Sequence, residues 1–317
     1  MDEQPRSPGA LTIGAFALAV TLGSGNFIAV RFSNRQLPPF WGAGLRFGLA
    51  ALLFIAIALA LRVVWPRGRQ LALAAAYGAL GFGAFYALMY WALVRVTAGT
   101  ATVVMAIVPL MTLLLAVAQG YERLRPRAAL GAVLALAGIL WMTFGPGGAG
   151  VPTAALLAMI GASLCAAQSL IFGKRLAANH PAATNAVGMT VGAVLLLAIS
   201  ATLREAWTIP VGAEALWAVA YLVTFGSIGL FVLMLLVVRR WTASAGSYAF
   251  VLFPVVTLAL GALLADEPVT GRAIVGAVLV MLGVWFGALS PGARASTAPA
   301  RPPVVPEPVL GAAAPPD

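Results

Sequence analysis

Ten runs of about twenty apolar residues constrain this chain more than any other feature, and nearly all of its arginines sit in the short loops between them. The runs are Ala10–Val30, Phe40–Leu61, Leu71–Leu93, Ala98–Val117 and Ala128–Phe144, then Thr153–Phe172, Asn185–Leu203, Leu216–Val238, Ala245–Leu264 and Ala273–Leu289. At about 1.5 Å rise per residue, a helix of this length crosses the roughly 30 Å hydrocarbon core of a bilayer. A membrane β-barrel needs short segments of alternating polarity, and these runs show none. A soluble core cannot absorb them: 62% of the 317 residues are hydrophobic and 9% are charged, against about a quarter charged in soluble domains. The predicted fold class is an all-α polytopic membrane protein with ten transmembrane helices.

The second constraint is an internal repeat. Arg95, Thr97, Ala98, Pro109, Glu122, Arg127, Gly131 and Gly138 recur as Arg240, Thr242, Ala243, Pro254, Glu267, Arg272, Gly276 and Gly283. Each pair is 145 positions apart, as 254 − 109 shows. A gapless match over more than forty residues (95–138) marks a duplicated domain, since solenoid repeats have far shorter periods. The cluster Gly145-Pro146-Gly147-Gly148 is the strongest breaker in the chain. The expected organisation is an N-terminal segment 1–9, a first repeat 10–144, a linker 145–152, a second repeat 153–289 and a tail 290–317. The tail is rich in Pro and Ala and is expected to be disordered. The first run is longer than a signal-peptide core and is read as a retained helix.

Five helices per repeat give an odd number of crossings. If the N-terminus is cytoplasmic, thirteen Lys and Arg fall on inside segments and five on outside ones; Arg46, within a run, completes the nineteen. The positive-inside excess places both termini in the cytoplasm. The second repeat then enters the membrane upside down, and the two halves form an inverted-topology pair, an architecture common to secondary transporters.

Several functions fall away on composition. The net charge of +10 would suggest nucleic acid in a soluble protein, but here topology accounts for the arginines. Cys165 is the single cysteine and lies in an apolar run, where a small buried residue is the simplest reading. One histidine, His180, and no clustered acids leave no metal site, catalytic triad or cofactor. Gly81-Phe82-Gly83 lies inside a span with no strand before it, so it is not a dinucleotide site. A membrane enzyme is therefore disfavoured.

What remains is a set of polar residues within the spans. Arg46 is the only charge well inside one, about 9 Å from the start of its run. An unpaired arginine at mid-bilayer costs about 2.5–3.5 kcal/mol on insertion scales. It snorkels outward, braces backbone carbonyls, or anchors an anionic group such as a substrate carboxylate, which suits a guanidinium fork. Asn26 and Gln168 carry donors and acceptors that lipid cannot satisfy and should face the bundle interior. Tyr86 and Tyr90, four apart, share one helix face. With Thr102, Ser247 and Tyr248 they form the candidate substrate-binding set, drawn from both halves. For each of them, helix–helix bonding is the competing reading. Pro109 and Pro254 each remove a backbone hydrogen bond, and are expected to kink equivalent helices and to serve as gating points. Glu122 and Glu267 sit just past their helices and read as structural helix-end groups, capping the following helix or pairing with arginine.

These residues carry a family resemblance. Asn26-Phe27, Arg46-Phe47 and the paired Ala98…Pro109…Glu122-Arg123…Gly131…Gly138 and Ala243…Pro254…Glu267…Gly276…Gly283 patterns resemble ten-helix members of the drug/metabolite transporter superfamily, of the EamA type. The resemblance covers nearly all of residues 10–290. It implies transport of small organic molecules, often amino acids or other metabolites and often outward, across a bacterial inner membrane. One departure concerns the segment before Asn26: members often carry Trp-Gly there, whereas this chain has Gly23-Ser24-Gly25, which implies a wider or differently lined cavity. Broad-specificity drug efflux is the alternative within transport. A non-transporting scaffold or receptor is the alternative from another class, and it would require larger soluble surfaces than these short loops. The expected partners are a small-molecule substrate and the lipid bilayer. A coupling ion, with the proton as candidate, and the choice between monomer and homodimer are left open by these residues.

Overall fold

The computed structural model describes residues 10–120, 126–144, 151–230, 233, 237 and 243–289. The segments 1–9, 145–150 and 290–317, with Glu122, lie outside the described residues, as do the side chains of Ser247 and Tyr248. Ten helices occupy the described residues: α1 (Ala10–Asn34), α2 (Pro39–Ala60), α3 (Arg69–Leu93), α4 (Ala98–Ala118), α5 (Pro126–Phe144), α6 (Thr153–Arg175), α7 (Pro181–Thr202), α8 (Ala213–Gly229), α9 (Ala243–Leu264) and α10 (Gly271–Val284, continued by a π turn at Trp285–Leu289). Six of them, α1–α4, α6 and α7, are long and apolar enough to cross a membrane, and the others contain shorter apolar stretches. Their exposed positions are large apolar side chains such as Leu52, Leu130, Trp217 and Leu263. Such a surface is stable only with lipid as its solvent. The chain is a multi-pass membrane protein.

Local chemistry sets the boundaries. Pro39 and Pro181 sit in the first turn of α2 and α7, where a missing N–H costs nothing. Both helices end on a Leu-Arg pair whose arginine takes positive φ, 49° at Arg62 and 54° at Arg204. Thr97 caps α4 by accepting the Thr100 amide at 3.2 Å, and Thr270 caps α10 through the Ala273 amide at 3.2 Å.

Two kinds of irregularity interrupt the helices. α3 is wound as a π-helix over Ala79–Ala84 and α8 over Thr224–Gly229. Position 224 minus 79 is 145, the offset of the sequence repeat, so the two π segments are equivalent. α4 breaks after Met105 and restarts at Val108 with Pro109 in its first turn, whereas α9 continues through Pro254.

The packing maps onto itself when the halves are exchanged. α2 lies on α7, α4 on α9 and α5 on α10, each helix against its own equivalent. α1 packs on α8 and α9, as α6 packs on α3 and α4. The self-paired helices are antiparallel. In α5 and α10, a Cβ on Gly138 would stand 2.8 Å from the Gly276 carbonyl oxygen, and one on Gly283 would stand 2.6 Å from that of Gly131. The contact of 138 with 276 is thus the image of 131 with 283. Backbones this close exclude any side chain at the crossing. Similarly, the Trp41 amide at the start of α2 donates at 2.8 Å to Glu205, just beyond the end of α7. Equivalent helices that run antiparallel require an exchange axis across the helices rather than along them, which is the geometry of an inverted repeat.

Replacing Gly138 with leucine drives a branched side chain into the Gly276 backbone. The expected loss is about 1–3 kcal/mol, read as a lower unfolding midpoint of the detergent-purified protein. An unchanged midpoint would contradict the close α5–α10 crossing.

Candidate functional site

Arg46 sits about two turns into α2 and is completely buried, with an exposure of 0%. Its Nε donates to Ser227 Oγ at 3.4 Å and its Nη2 to the Gly226 carbonyl at 3.3 Å. The guanidinium carbon lies 4.9 Å from the Phe47 ring centroid and 5.1 Å from that of Tyr86, within cation–π range. Nη1 has no hydrogen-bond partner. The ion pairs of Arg31 with Glu267 and of Arg35 with Glu214 both leave Arg46 out.

The Gly226 carbonyl is available because of the π segment. The Leu230 amide reaches Phe225 and Ser227 and passes over Gly226. The carbonyl then accepts from two side chains, Arg46 and the Asn26 amide nitrogen of α1 at 3.2 Å. A Cβ at 226 would strike Asn26 Oδ1 and lie 3.4 Å from Arg46 Nη2, so glycine is what lets both donors reach this backbone. π-bulges are frequent at functional sites for this reason: they re-aim backbone groups out of the helix ladder.

Further unsatisfied groups belong to the same cluster. Tyr90 is fully buried, and its hydroxyl faces the Arg46 guanidinium without a hydrogen bond of full geometry; Asn26 Oδ1 has no partner. The rings of Phe47, Tyr86 and Tyr90 form a chain with centroid spacings of 4.4 and 6.3 Å. The charge of Arg46 reaches the hydroxyls of Tyr90, Tyr86 and Tyr221. Each orphaned buried group costs about 1–3 kcal/mol unless something occupies it. A donor, a hydroxyl and an amide oxygen are thus left open around one cation.

Of the sequence candidates, Asn26, Arg46, Tyr86 and Tyr90 come together. Thr102 does not join them; it is buried and folds back on its own helix, donating to the Ala98 and Gly99 carbonyls at 3.2 and 2.9 Å. Gln168 is half-buried in α6 and accepts from Gln119 at the end of α4 at 2.7 Å. Ser247 and Tyr248 lie on the α9 backbone. Beside Gly23 and Gly25 stand the Phe253 ring and the Tyr221 hydroxyl, and that hydroxyl donates to Leu22 at 2.8 Å. Sequence reasoning did not single out Gly226 for the site. The signal for it was the match of Gly81 and Gly226 at the repeat offset.

Glu267 makes another buried cross-half contact. It lies past the end of α9 but caps α4, accepting the Ala98 and Gly99 amides at 3.0 and 3.4 Å. It also pairs with Arg31 of α1 at 3.0 Å, while Arg31 donates to Val96 at 2.7 Å. The following helix, α10, takes its cap from Thr270 instead. A carboxylate at the start of α4 meets the positive end of that helix. Three helix ends from both halves are therefore tied by one side chain.

Comparison with known proteins places the chain as a whole. Residues 10–144 and 153–288 each match the profile described as "EamA-like transporter family". The Escherichia coli protein named "Uncharacterized inner membrane transporter YedA" is 32% identical, over 86% of this chain and 90% of that protein. A "Probable terminal-alkyne amino-acid exporter" of Streptantibioticus cattleyicolor is 28% identical over 86% of this chain and 92% of its own. A "Probable amino-acid metabolite efflux pump" of Escherichia coli is 29% identical over 86% and 93%. A solved crystal structure shares the fold with a TM-score of 0.61 at 21% identity, covering 88% of this chain and 97% of that one.

Glu267→Gln keeps one acceptor for the α4 amides and removes the charge. It is expected to lower stability by about 1–3 kcal/mol, read by thermal unfolding, and adding Arg31→Gln should cost little more. Fully additive losses would show that the two side chains act separately.

Proposed function

This chain belongs to the EamA-like transporter family, and on that premise we propose that it is a secondary transporter exporting small, amino-acid-like metabolites across a bacterial inner membrane. The observation that carries this reading is the polar cluster at the junction of the halves. Asn26, Arg46, Tyr86 and Tyr90 come from the first half, and the Gly226 carbonyl and Ser227 from the second. A cargo held there touches both halves, so rocking one against the other exposes it to alternate sides. The names of the relatives, which include amino-acid exporters, support outward transport of such molecules.

The remaining parts derive from the repeat. Residues 10–144 and 153–289 act as the two moving units joined by 145–152, and the excess of inside positive charge sets 1–9 and 290–317 in the cytoplasm. The break at Pro109 and the equivalent Pro254 are the bending points. The Glu267 tie closes the path at its end of the helices.

Two outcomes test this. Reporter tags after Ser290 and within Gly145–Gly150 are expected on opposite sides of the membrane, the first cytoplasmic; finding both on one side would overturn the topology. Cells over-expressing the protein should release a set of metabolites into the medium that an empty-membrane control retains. Arg46→Ala, at equal expression, should lower that release about tenfold or more, the worth of one charge-assisted anchor. Equal release by the variant would leave Arg46 a purely structural residue.

A further inference from the structure

Arg46 is a cation that no described residue neutralises. The chain has nine acids, and none lies inside an apolar run. Those described are at helix ends and engaged or exposed there: Glu205 takes the Phe40 and Trp41 amides, Glu214 pairs with Arg35, and Glu267 pairs with Arg31. The partners Arg46 does have are a neutral carbonyl and a neutral hydroxyl, both beyond 3.2 Å. Charged hydrogen bonds of full strength are shorter, about 2.7–2.9 Å. A brace would use all of the fork, whereas here Nη1 is left without a partner.

We propose that Arg46, Tyr90 and Asn26 form a charge-selective receptor for a single carboxylate that carries a hydrogen-bond donor on the neighbouring carbon. This rests on the transport reading and specifies its cargo. Nη1 and the Tyr90 hydroxyl donate to the carboxylate oxygens. Asn26 Oδ1, held in place because its amide nitrogen is fixed on the Gly226 carbonyl, accepts from the amino or hydroxyl group next door. One buried cation is balanced by one anion. A second carboxylate would enter uncompensated, and an amine lacking the carboxylate would meet a like charge, so both are rejected by the cost of burying unpaired charge. The same charge, left unmatched, makes the empty site unfavourable; a hydroxy acid leaves the loaded site neutral, and a zwitterionic amino acid must place its ammonium on Asn26 Oδ1, away from the guanidinium.

The test uses the smallest members of each class, so that side-chain fit does not intervene. The full-length protein in detergent is heated with sodium acetate, glycolate, glycine, glycinamide or malonate at equal ionic strength. Glycolate is expected to raise the unfolding midpoint most, by about 3 °C at roughly ten times its dissociation constant, and glycine next. Acetate should raise it less, and glycinamide and malonate should not raise it. Arg46→Met should abolish all of these shifts while itself unfolding no lower than the wild type, because it removes an unpaired charge. Tyr90→Phe, which deletes one hydroxyl, should weaken the protection by glycolate and glycine and keep their order relative to glycinamide. Equal protection by glycinamide, protection that survives in Arg46→Met, or a marked destabilisation by Arg46→Met with no carboxylate effect in Tyr90→Phe would each overturn the proposal. Failure here is separate from failure of the transport reading. A protein that exports metabolites yet ignores the carboxylate series refutes only the receptor, and one that binds carboxylates yet moves nothing refutes only transport.

Discussion

A guanidinium held away from both water and carboxylates is the interaction the rest of this structure is arranged around. It is tolerated because two local departures from ideal helix geometry converge on it. The π segment of α8 turns the Gly226 carbonyl out of the helix ladder, and the glycine itself removes the side chain that would block the approach. Arg46 and Asn26, from two helices of the first half, then share one backbone acceptor in the second. That acceptor is a dipole rather than a charge, so it orients the cation without neutralising it. Stability and function pull in different directions at this point, which is where a binding site is expected to violate packing rules.

The duplication supplies the frame. Exchange of the halves carries α2 onto α7, α4 onto α9 and α5 onto α10, so the contacts between the halves are built largely from self-complementary surfaces, as in a two-fold dimer. The site breaks this symmetry. At the equivalent π segment of α3, Gly81 stands against Ser169, and Ser169 donates to the Tyr77 carbonyl at 3.2 Å; no charge is placed there among the described residues. The scaffold is thus near-symmetric and its chemistry one-sided.

Much of this was legible in the residues. Apolar run length fixed the helices, because lipid permits few other ways to satisfy the backbone. The offset of 145 foretold the repeat, and the π segments fall on it. Arg46 stood out as the only charge deep in a span. What could not be read was the partner of each polar group. Gln168 has the same chemistry as Asn26 yet bonds to Gln119, and Thr102 satisfies itself on its own turn. Glu267 was legible as a helix-end group, but the helix it caps is α4, across the interface. The Gly226 carbonyl carries no side-chain signal at all: a backbone group freed by an irregular turn leaves no trace in composition. These choices depend on how the halves dock, which local pattern does not contain.

The most direct measurement is efflux from proteoliposomes that hold the purified full-length protein and are loaded with a mixed extract of polar bacterial metabolites. Mass spectrometry of the external medium identifies what leaves. The account predicts that compounds with one carboxylate and an adjacent amino or hydroxyl group leave faster than from protein-free vesicles. The advantage should shrink in Arg46→Lys, which keeps the charge and loses the fork. Release dominated by amines or dicarboxylates, or none above the protein-free control, would contradict it.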